Sequence, residues 1–152
     1  MRFFLLFLHL SGAIVWVGGM FFAHFCLRPV ATAQLPPPQR LPLLAGVLGR
    51  FFAVVLFAIA AIFISGIASI HGAGLARLPL HWHLMMGLGL VMAIIFAVIL
   101  GLFFPRLKAG VAEQNWPAAG AAMNRIRQLV ATNLLLGICT VAIATLGSLF
   151  AA

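Results

Sequence analysis

Four long, continuous apolar runs constrain this sequence more than any other feature. Each run can cross about 30 Å of hydrocarbon as a helix of roughly 20 residues, and a helix satisfies its own backbone hydrogen bonds in lipid. The runs do not alternate in polarity, which excludes a small transmembrane barrel. The sequence therefore predicts an all-α integral membrane four-helix bundle, forming a single four-span transmembrane domain over residues 1–152. The predicted spans are residues 3–27, 51–70, 82–104 and 129–150.

The composition is that of a membrane protein and excludes a soluble one. Charged residues form 7% of the chain, whereas about 25% is usual in a soluble domain. The formal net charge of +8 would favour nucleic-acid binding in a soluble protein, but the basic residues of membrane proteins collect in cytoplasmic loops. We therefore expect no nucleic-acid partner.

Prolines mark the connections between the predicted spans. Residues 28–50 are rich in proline and are predicted to lie at the membrane surface, where the final LPLLAGVLGR could form a short interfacial helix. Pro105 is predicted to stop the third run. Pro117 suits the first turn of a helix that runs on into the fourth span.

The basic residues are distributed unequally between the two sides of such a bundle. The side that holds both termini and the 71–81 connection carries Arg2 and Arg77. Because basic loops stay in the cytoplasm, both termini are predicted to lie on the periplasmic side of the bacterial cytoplasmic (inner) membrane. The opposite side carries Arg28, Arg40, Arg50, Arg106, Lys108, Arg125 and Arg127.

Most of the histidines fall in the outer half of this arrangement. His9 enters the first span and lies about 9 Å deep at 1.5 Å per residue, while His71, His81 and His83 flank the connection between the second and third spans. A neutral imidazole in hydrocarbon is costly without a partner, and the sequence has no carboxylate near His9. His24 lies alone near the inner face.

Two of these histidines, His9 and His83, are predicted to hold a haem b between the first and third spans. Gly87 follows His83 by one helical turn, and a small residue beside a histidine leaves space for the edge of a macrocycle. Ordinary helix packing also favours glycine, so a glycine alone is weak evidence. The predicted cofactor-binding residues are His9, His83, His71, His81, Trp16, Gly87, Arg77 and Arg2, with the two arginines facing the propionates.

Other assignments of these residues stay open at this stage. His71 or His81 can replace either ligand, or bind a second metal or haem. His24 is interpreted as a hydrogen-bonding or proton-handling residue, with ligation of a second haem as the alternative. Gly12 and Gly19 can pack within the bundle or between the protomers of a homo-oligomer.

Three functions are compatible with this pattern. The first is a b-type cytochrome-like membrane haem oxidoreductase, moving electrons between quinol and a periplasmic partner or a small-molecule acceptor. The alternative is a copper-handling or copper-transport protein, because Cu(I) favours histidine and methionine ligands and HWHLMM places Met85 and Met86 beside two histidines. Against copper, no MxxxM ladder crosses the bilayer. The third is a non-redox structural subunit in which the histidines serve packing.

The apolar runs also resemble a known family. LHLSGAIVWVGGMFFAHFCLRP resembles the start of CopD-like membrane proteins, a group named for a copper-resistance component. GVLGRFF, HWHLMMGLGLVM and IRQLVATNLLLGICTVAIATLG resemble later parts of its stand-alone members. The resemblance covers nearly the whole chain and implies a four-helix scaffold in the membrane with a connection to copper resistance.

A more distant similarity is to the HemJ-type protoporphyrinogen oxidases. Their pattern places a histidine seven residues before a tryptophan in the first span, as at His9 and Trp16, and a Trp-x-His in a later span, approximated by Trp82 and His83. This resemblance implies haem b bound by His9 and His83. Met85 stands where those proteins carry a lysine, so the resemblance extends to the scaffold and the two histidines and not to the reaction.

Overall fold

The computed structural model describes residues 2–71 and 79–147. These residues form four long helices, each long and apolar enough to cross a membrane, and they contain no strand. The prediction of an all-α four-helix membrane protein is confirmed. The helices are α1 (Arg2–Gln34), α2 (Pro37–Ile70), α3 (Leu80–Ala112) and α4 (Trp116–Leu146).

The connection between α1 and α2 differs from its prediction. Residues 28–50 do not form a long connection with a separate helix, because α1 continues to Gln34 and α2 already begins at Pro37. Leu35 is extended (φ −125°, ψ 133°), as expected for a residue that precedes proline. The first N–H groups of a helix have no acceptor within the helix, so prolines in the first turn of α2 lose no helical hydrogen bond. LPLLAGVLGR is therefore an integral part of α2.

The helix of the third span does not stop at Pro105, which corrects the second expectation about proline. α3 passes through a π turn at Ile99–Phe103 and continues beyond the proline. α1 repeats the arrangement, with a π turn at Ala23–Leu27 shortly before Pro29. A proline ring clashes with the carbonyl four residues earlier, and in both helices that residue lies inside the π turn. The wider turn relieves the clash without ending the helix.

The start of α4 agrees with its prediction. Pro117 lies in the first turn, and the Asn115 side chain caps the helix by accepting a hydrogen bond from the Ala118 N–H over 3.1 Å. The helix then runs without interruption to Leu146. An asparagine cap followed by proline is a strong start signal, because the asparagine oxygen accepts from one of the first unpaired N–H groups and proline has no N–H to leave unpaired.

The four helices pack as two close pairs, α1 with α2 and α3 with α4, and α4 also contacts α1 and α2. A buried aromatic cluster joins the pairs. Phe96 of α3 meets the rings of Trp16 on α1 and Phe52 on α2 edge to face, with centroid distances of 6.3 Å and 5.5 Å. Phe104 continues the cluster 5.2 Å from Phe52. Edge-to-face geometry is the favoured contact between aromatic rings, so this cluster fixes the centre of the bundle.

Asn133 of α4 supplies a polar link between helices in the core. It is almost fully buried, and its Nδ2 donates to the Met92 carbonyl of α3 over 3.1 Å. Its Oδ1 accepts no hydrogen bond from any residue that the structure describes. Polar side chains that bond across helices stabilise their association in lipid.

The basic ends of α3 and α4 approach each other backbone to backbone. A Cβ added at Gly110 would lie 2.8 Å from the amide nitrogen of Ala119 and 3.0 Å from its Cα. Both residues are buried. The contact can exist because position 110 has no side chain.

Gly110→Ala should therefore destabilise the protein by about 1–3 kcal/mol, the usual range for overpacking a close contact. Gly120→Ala is the matched control, because a Cβ at Gly120 would meet nothing within 4 Å and alanine is the better helix former. Thermal unfolding in detergent measures both. Equal midpoints for the two variants would contradict this account of the α3–α4 contact.

Candidate functional site

His9, His71, His81 and His83 all lie at one end of the bundle, which we call the histidine end. It comprises the start of α1, the end of α2, the start of α3 and the end of α4, because consecutive helices are antiparallel. Most of the basic residues lie at the other end, which we call the basic end. The two ends therefore differ in their chemistry, with most of the imidazoles at one and most of the guanidinium groups at the other.

His9 is the most constrained of the histidines. It is half-buried on α1 and faces α2, where its Nδ1 lies 3.1 Å from the Ile62 carbonyl and 3.1 Å from Ser65 Oγ. Ser65 is fully buried and directs its hydroxyl hydrogen to the Ala61 carbonyl at 2.6 Å. Both groups near Nδ1 therefore act as acceptors, and Nδ1 must carry the hydrogen.

This tautomer decides what the rest of the ring can do. A neutral imidazole with hydrogen on Nδ1 keeps an unshared electron pair on Nε2. Metal-bound histidines commonly donate their other ring N–H to a backbone carbonyl or similar acceptor, which fixes both tautomer and orientation. His9 already has such partners in Ile62 and Ser65. The electron pair on its Nε2 is thus available to a metal ion or a proton.

Small residues bring α1 and α2 close enough for this contact. A Cβ at Gly12 would lie 2.8 Å from the Ala58 carbonyl oxygen, and one at Gly19 would overlap the Phe51 ring. Of the two roles left open for these glycines, the structure shows packing within the bundle. Gly66 lies beside the His9 ring, where a Cβ would be 3.7 Å from Cε1.

His83 has different surroundings from His9. Its side chain is exposed, and its Nδ1 lies 3.3 Å from the Pro79 carbonyl of its own helix. Gly87, which was expected to accommodate a macrocycle, is exposed, and a Cβ there would meet nothing within 4 Å. Because His9 faces α2 while His83 is exposed on α3, this arrangement gives no support to a haem b clamped between them.

The remaining predicted residues are dispersed around the histidine end. His71 is exposed at the end of α2, and Arg2 is exposed at the start of α1. His81 is half-buried and packs against Gly147, where a Cβ would lie 2.7 Å from that of His81. Trp16 belongs to the aromatic core. Arg77 lies outside the described residues.

No group of three or more His, Cys, Asp or Glu side chains converges within residues 2–71 and 79–147. The histidines described at this end are therefore separate donors and do not form a cluster of three. Met85 is half-buried and Met86 is exposed, each on the same helix as His81 and His83. Thioether sulfur and imidazole nitrogen are both ligands that copper accepts.

Ser65 is the functional residue that the sequence did not reveal. It lies in an apolar run 56 positions from His9, and serine is common in transmembrane helices as a packing residue. No local spacing connects the two residues. Only the pairing of α1 with α2 places the hydroxyl beside the imidazole.

Comparison with known proteins gives one match. The family model for copper resistance protein D matches residues 45–146, which include all of α3 and α4 and most of α2. No curated protein and no solved structure matches the chain. The comparisons give no support to the resemblance to HemJ-type oxidases. The matched range includes Ser65, His71, His81 and His83 but not His9.

The tautomer of His9 can be observed directly. We expect ¹⁵N-edited NMR of histidine-labelled protein in micelles, above the pH at which the ring protonates, to show hydrogen on Nδ1 and none on Nε2. The signal is assigned by its loss in His9→Gln. A His9 ring that carries its hydrogen on Nε2 would contradict the hydrogen bonds to Ile62 and Ser65.

Proposed function

Because the chain belongs to the copper resistance protein D family, we propose that it handles copper, taking up the ion at the histidine end. The family model covers most of the chain, and the chain is a multi-pass inner-membrane protein with four spanning helices. We further propose that these helices form a single domain and that the histidine end faces the periplasm, as the charge bias predicts. Copper is the cargo in this proposal and not a resident cofactor.

His9 carries the proposal. Its Nδ1–H is engaged by the Ile62 carbonyl and by Ser65 Oγ, each at 3.1 Å, and its Nε2 is left with an electron pair for the ion. Partners of this kind typically change metal affinity 10- to 100-fold when they are removed. His9 thus has the supporting contacts expected of a metal ligand, built across two helices.

The charge of the histidine end favours Cu(I) over Cu(II). The chain contains a single acidic residue, Glu113, and it lies in the turn between α3 and α4 at the basic end. Without carboxylates, the donors at the histidine end are neutral nitrogen and sulfur atoms, which suit the softer, monovalent ion. The proposed donors besides His9 are His71, His81, His83, Met85 and Met86.

The separation of these donors suits a transported ion. A transported ion must be bound weakly enough to leave again, and no group of three or more His, Cys, Asp or Glu side chains converges to hold it among the described residues. His83 and Met86 are exposed, whereas His9 is half-buried. We propose that exposed donors receive the ion and that His9 holds it deeper along α1.

Haem-based electron transfer is not part of this proposal. The sequence hypothesis needed His9 and His83 in one gap between α1 and α3, but His9 faces α2 and His83 is exposed. Quinol and a periplasmic electron-transfer partner were expected only as consequences of that haem. The family match supports the copper alternative instead.

His9→Ala should weaken Cu(I) binding by at least about 10-fold, because it removes the proposed ligand. Binding to the purified protein in detergent is measured by competition with a chromophoric Cu(I) chelator under anaerobic conditions. His24→Ala, which removes a histidine at the basic end, is the control and should bind as the wild type does. Absence of copper binding by the wild type, or haem α and β bands after reduction, would contradict the proposed function.

Ser65→Ala tests the support of the ligand separately from the ligand itself. We expect about 10-fold weaker Cu(I) binding, because the imidazole loses one of two acceptors that orient it. Ser69→Ala is the matched control on the same helix, since Ser69 Oγ donates to the Ser65 carbonyl and does not contact His9. Identical affinities for the two serine variants would show that Ser65 has no role in binding.

A further inference from the structure

The basic end contains a second candidate site, unrelated to copper. A small open pocket of about 40 Å³ lies between α1, α2 and α4. His24 and Arg28 of α1 and Arg127 of α4 line it, and its other walls are mainly apolar. His24 lies in the π turn of α1, and Arg28 follows that turn directly. π turns occur frequently at functional sites.

The charge of the pocket is positive and uncompensated. Arg28 and Arg127 are half-buried and line the same pocket, and Arg40 lies near the start of α2 at the same end of the bundle. Within the described part of the chain, no carboxylate pairs with these three arginines, since the single acid, Glu113, lines a different pocket. Guanidinium groups that are brought together without a counter-ion create a site for an anion.

This charge decides against copper at the basic end. His24 and Met123 both line the pocket and are of the residue types that copper accepts. The guanidinium groups of Arg28 and Arg127 line the same pocket and repel a metal cation bound there. They favour a phosphate, which arginine binds through its planar fork of N–H donors.

The size and position of the pocket identify the kind of anion. A pocket of about 40 Å³ is too small for a whole phospholipid. A lipid that places its phosphate there must continue outside the pocket, into the surrounding membrane. The wall includes Leu44, Leu48, Ile126 and Val130, which are suited to hydrocarbon, while the arginines stand where the apolar runs give way to basic sequence. A change from apolar to basic residues along a spanning helix is expected at the depth where acyl chains meet headgroups.

We propose that this pocket binds an anionic phospholipid of the inner leaflet. The lipid phosphate lies between Arg28 and Arg127, with Arg40 adding to the positive field. The beginning of an acyl chain lies against the apolar wall formed by α2 and α4. Such a lipid would neutralise the three arginines and connect α1, α2 and α4 at the end opposite the proposed copper donors. The proposal does not depend on the copper function.

The test compares lipids on the purified full-length protein by native mass spectrometry. The wild type should retain phosphatidylglycerol in preference to phosphatidylcholine. Arg28→Gln with Arg127→Gln should bind phosphatidylglycerol at least about 10-fold more weakly, given the usual contribution of each basic residue near an anionic surface. The control is Arg50→Gln with Arg125→Gln, which removes the same charge from two exposed positions outside the pocket and should bind as the wild type does.

A lysine double variant, circular dichroism and a comparison with inorganic phosphate complete the test. Arg28→Lys with Arg127→Lys retains the charge and should keep a preference for phosphatidylglycerol, which covers the case that the glutamine variant fails to fold. Circular dichroism establishes the helix content of every variant. Equal retention of the two lipids by the wild type, equal losses in both double glutamine variants, or binding of inorganic phosphate as strong as that of the lipid would overturn the proposal.

Discussion

The cost of an unpaired polar group in hydrocarbon governs this structure. Lipid offers no hydrogen bonds, so each spanning segment must satisfy its backbone internally, and the four helices do so. The same cost explains the few polar side chains in the interior. Ser65 and Asn133 are buried, and each bonds to a backbone carbonyl. His9 meets the same requirement through Ile62 and Ser65.

The partners that satisfy His9 also determine its chemistry. A carbonyl oxygen can only accept a hydrogen bond, so its position beside Nδ1 leaves the electron pair on Nε2. The hydrogen bonds that make the buried part of the His9 ring tolerable in the membrane thus also leave Nε2 with its electron pair. The glycines between α1 and α2 contribute because a side chain at Gly12 would hold the two helices apart. The proposed copper ligand therefore depends on the packing of α1 against α2.

The two ends of the bundle separate two kinds of binding chemistry. The histidine end offers neutral nitrogen and sulfur donors without a carboxylate, which suits a soft cation. At the basic end, Arg28 and Arg127 line one pocket, which suits a phosphate. Opposite preferences at the two ends follow from one feature of the sequence, the placement of its basic residues in alternate connections. In the proposed functions, copper and lipid therefore bind at opposite ends of the bundle.

The prolines show that local sequence rules predict some helix boundaries and fail at others. Pro117 was correctly placed in the first turn of a helix, because a missing N–H has no cost at that position. Pro105 was expected to end a helix, yet α3 continues past it through a π turn. Whether a proline ends a helix or widens it depends on whether packing holds the helix together on both sides. In α3 the following turns pack against α4 near Gly110 and Ala119, and local sequence does not contain that contact.

The sequence by itself determined the fold class, because the length and polarity of an apolar run decide alone whether a segment can span a membrane as a helix. It also determined which end of the bundle is basic, since antiparallel helices place alternate connections together. Only the tertiary structure decided which helices face each other. That pairing sets His9 against Ser65 and leaves His83 exposed. Four helices of similar hydrophobicity can pack in several orders, so the polarity of the runs does not determine the order; the close contacts at Gly12, Gly19 and Gly110 belong to the order observed.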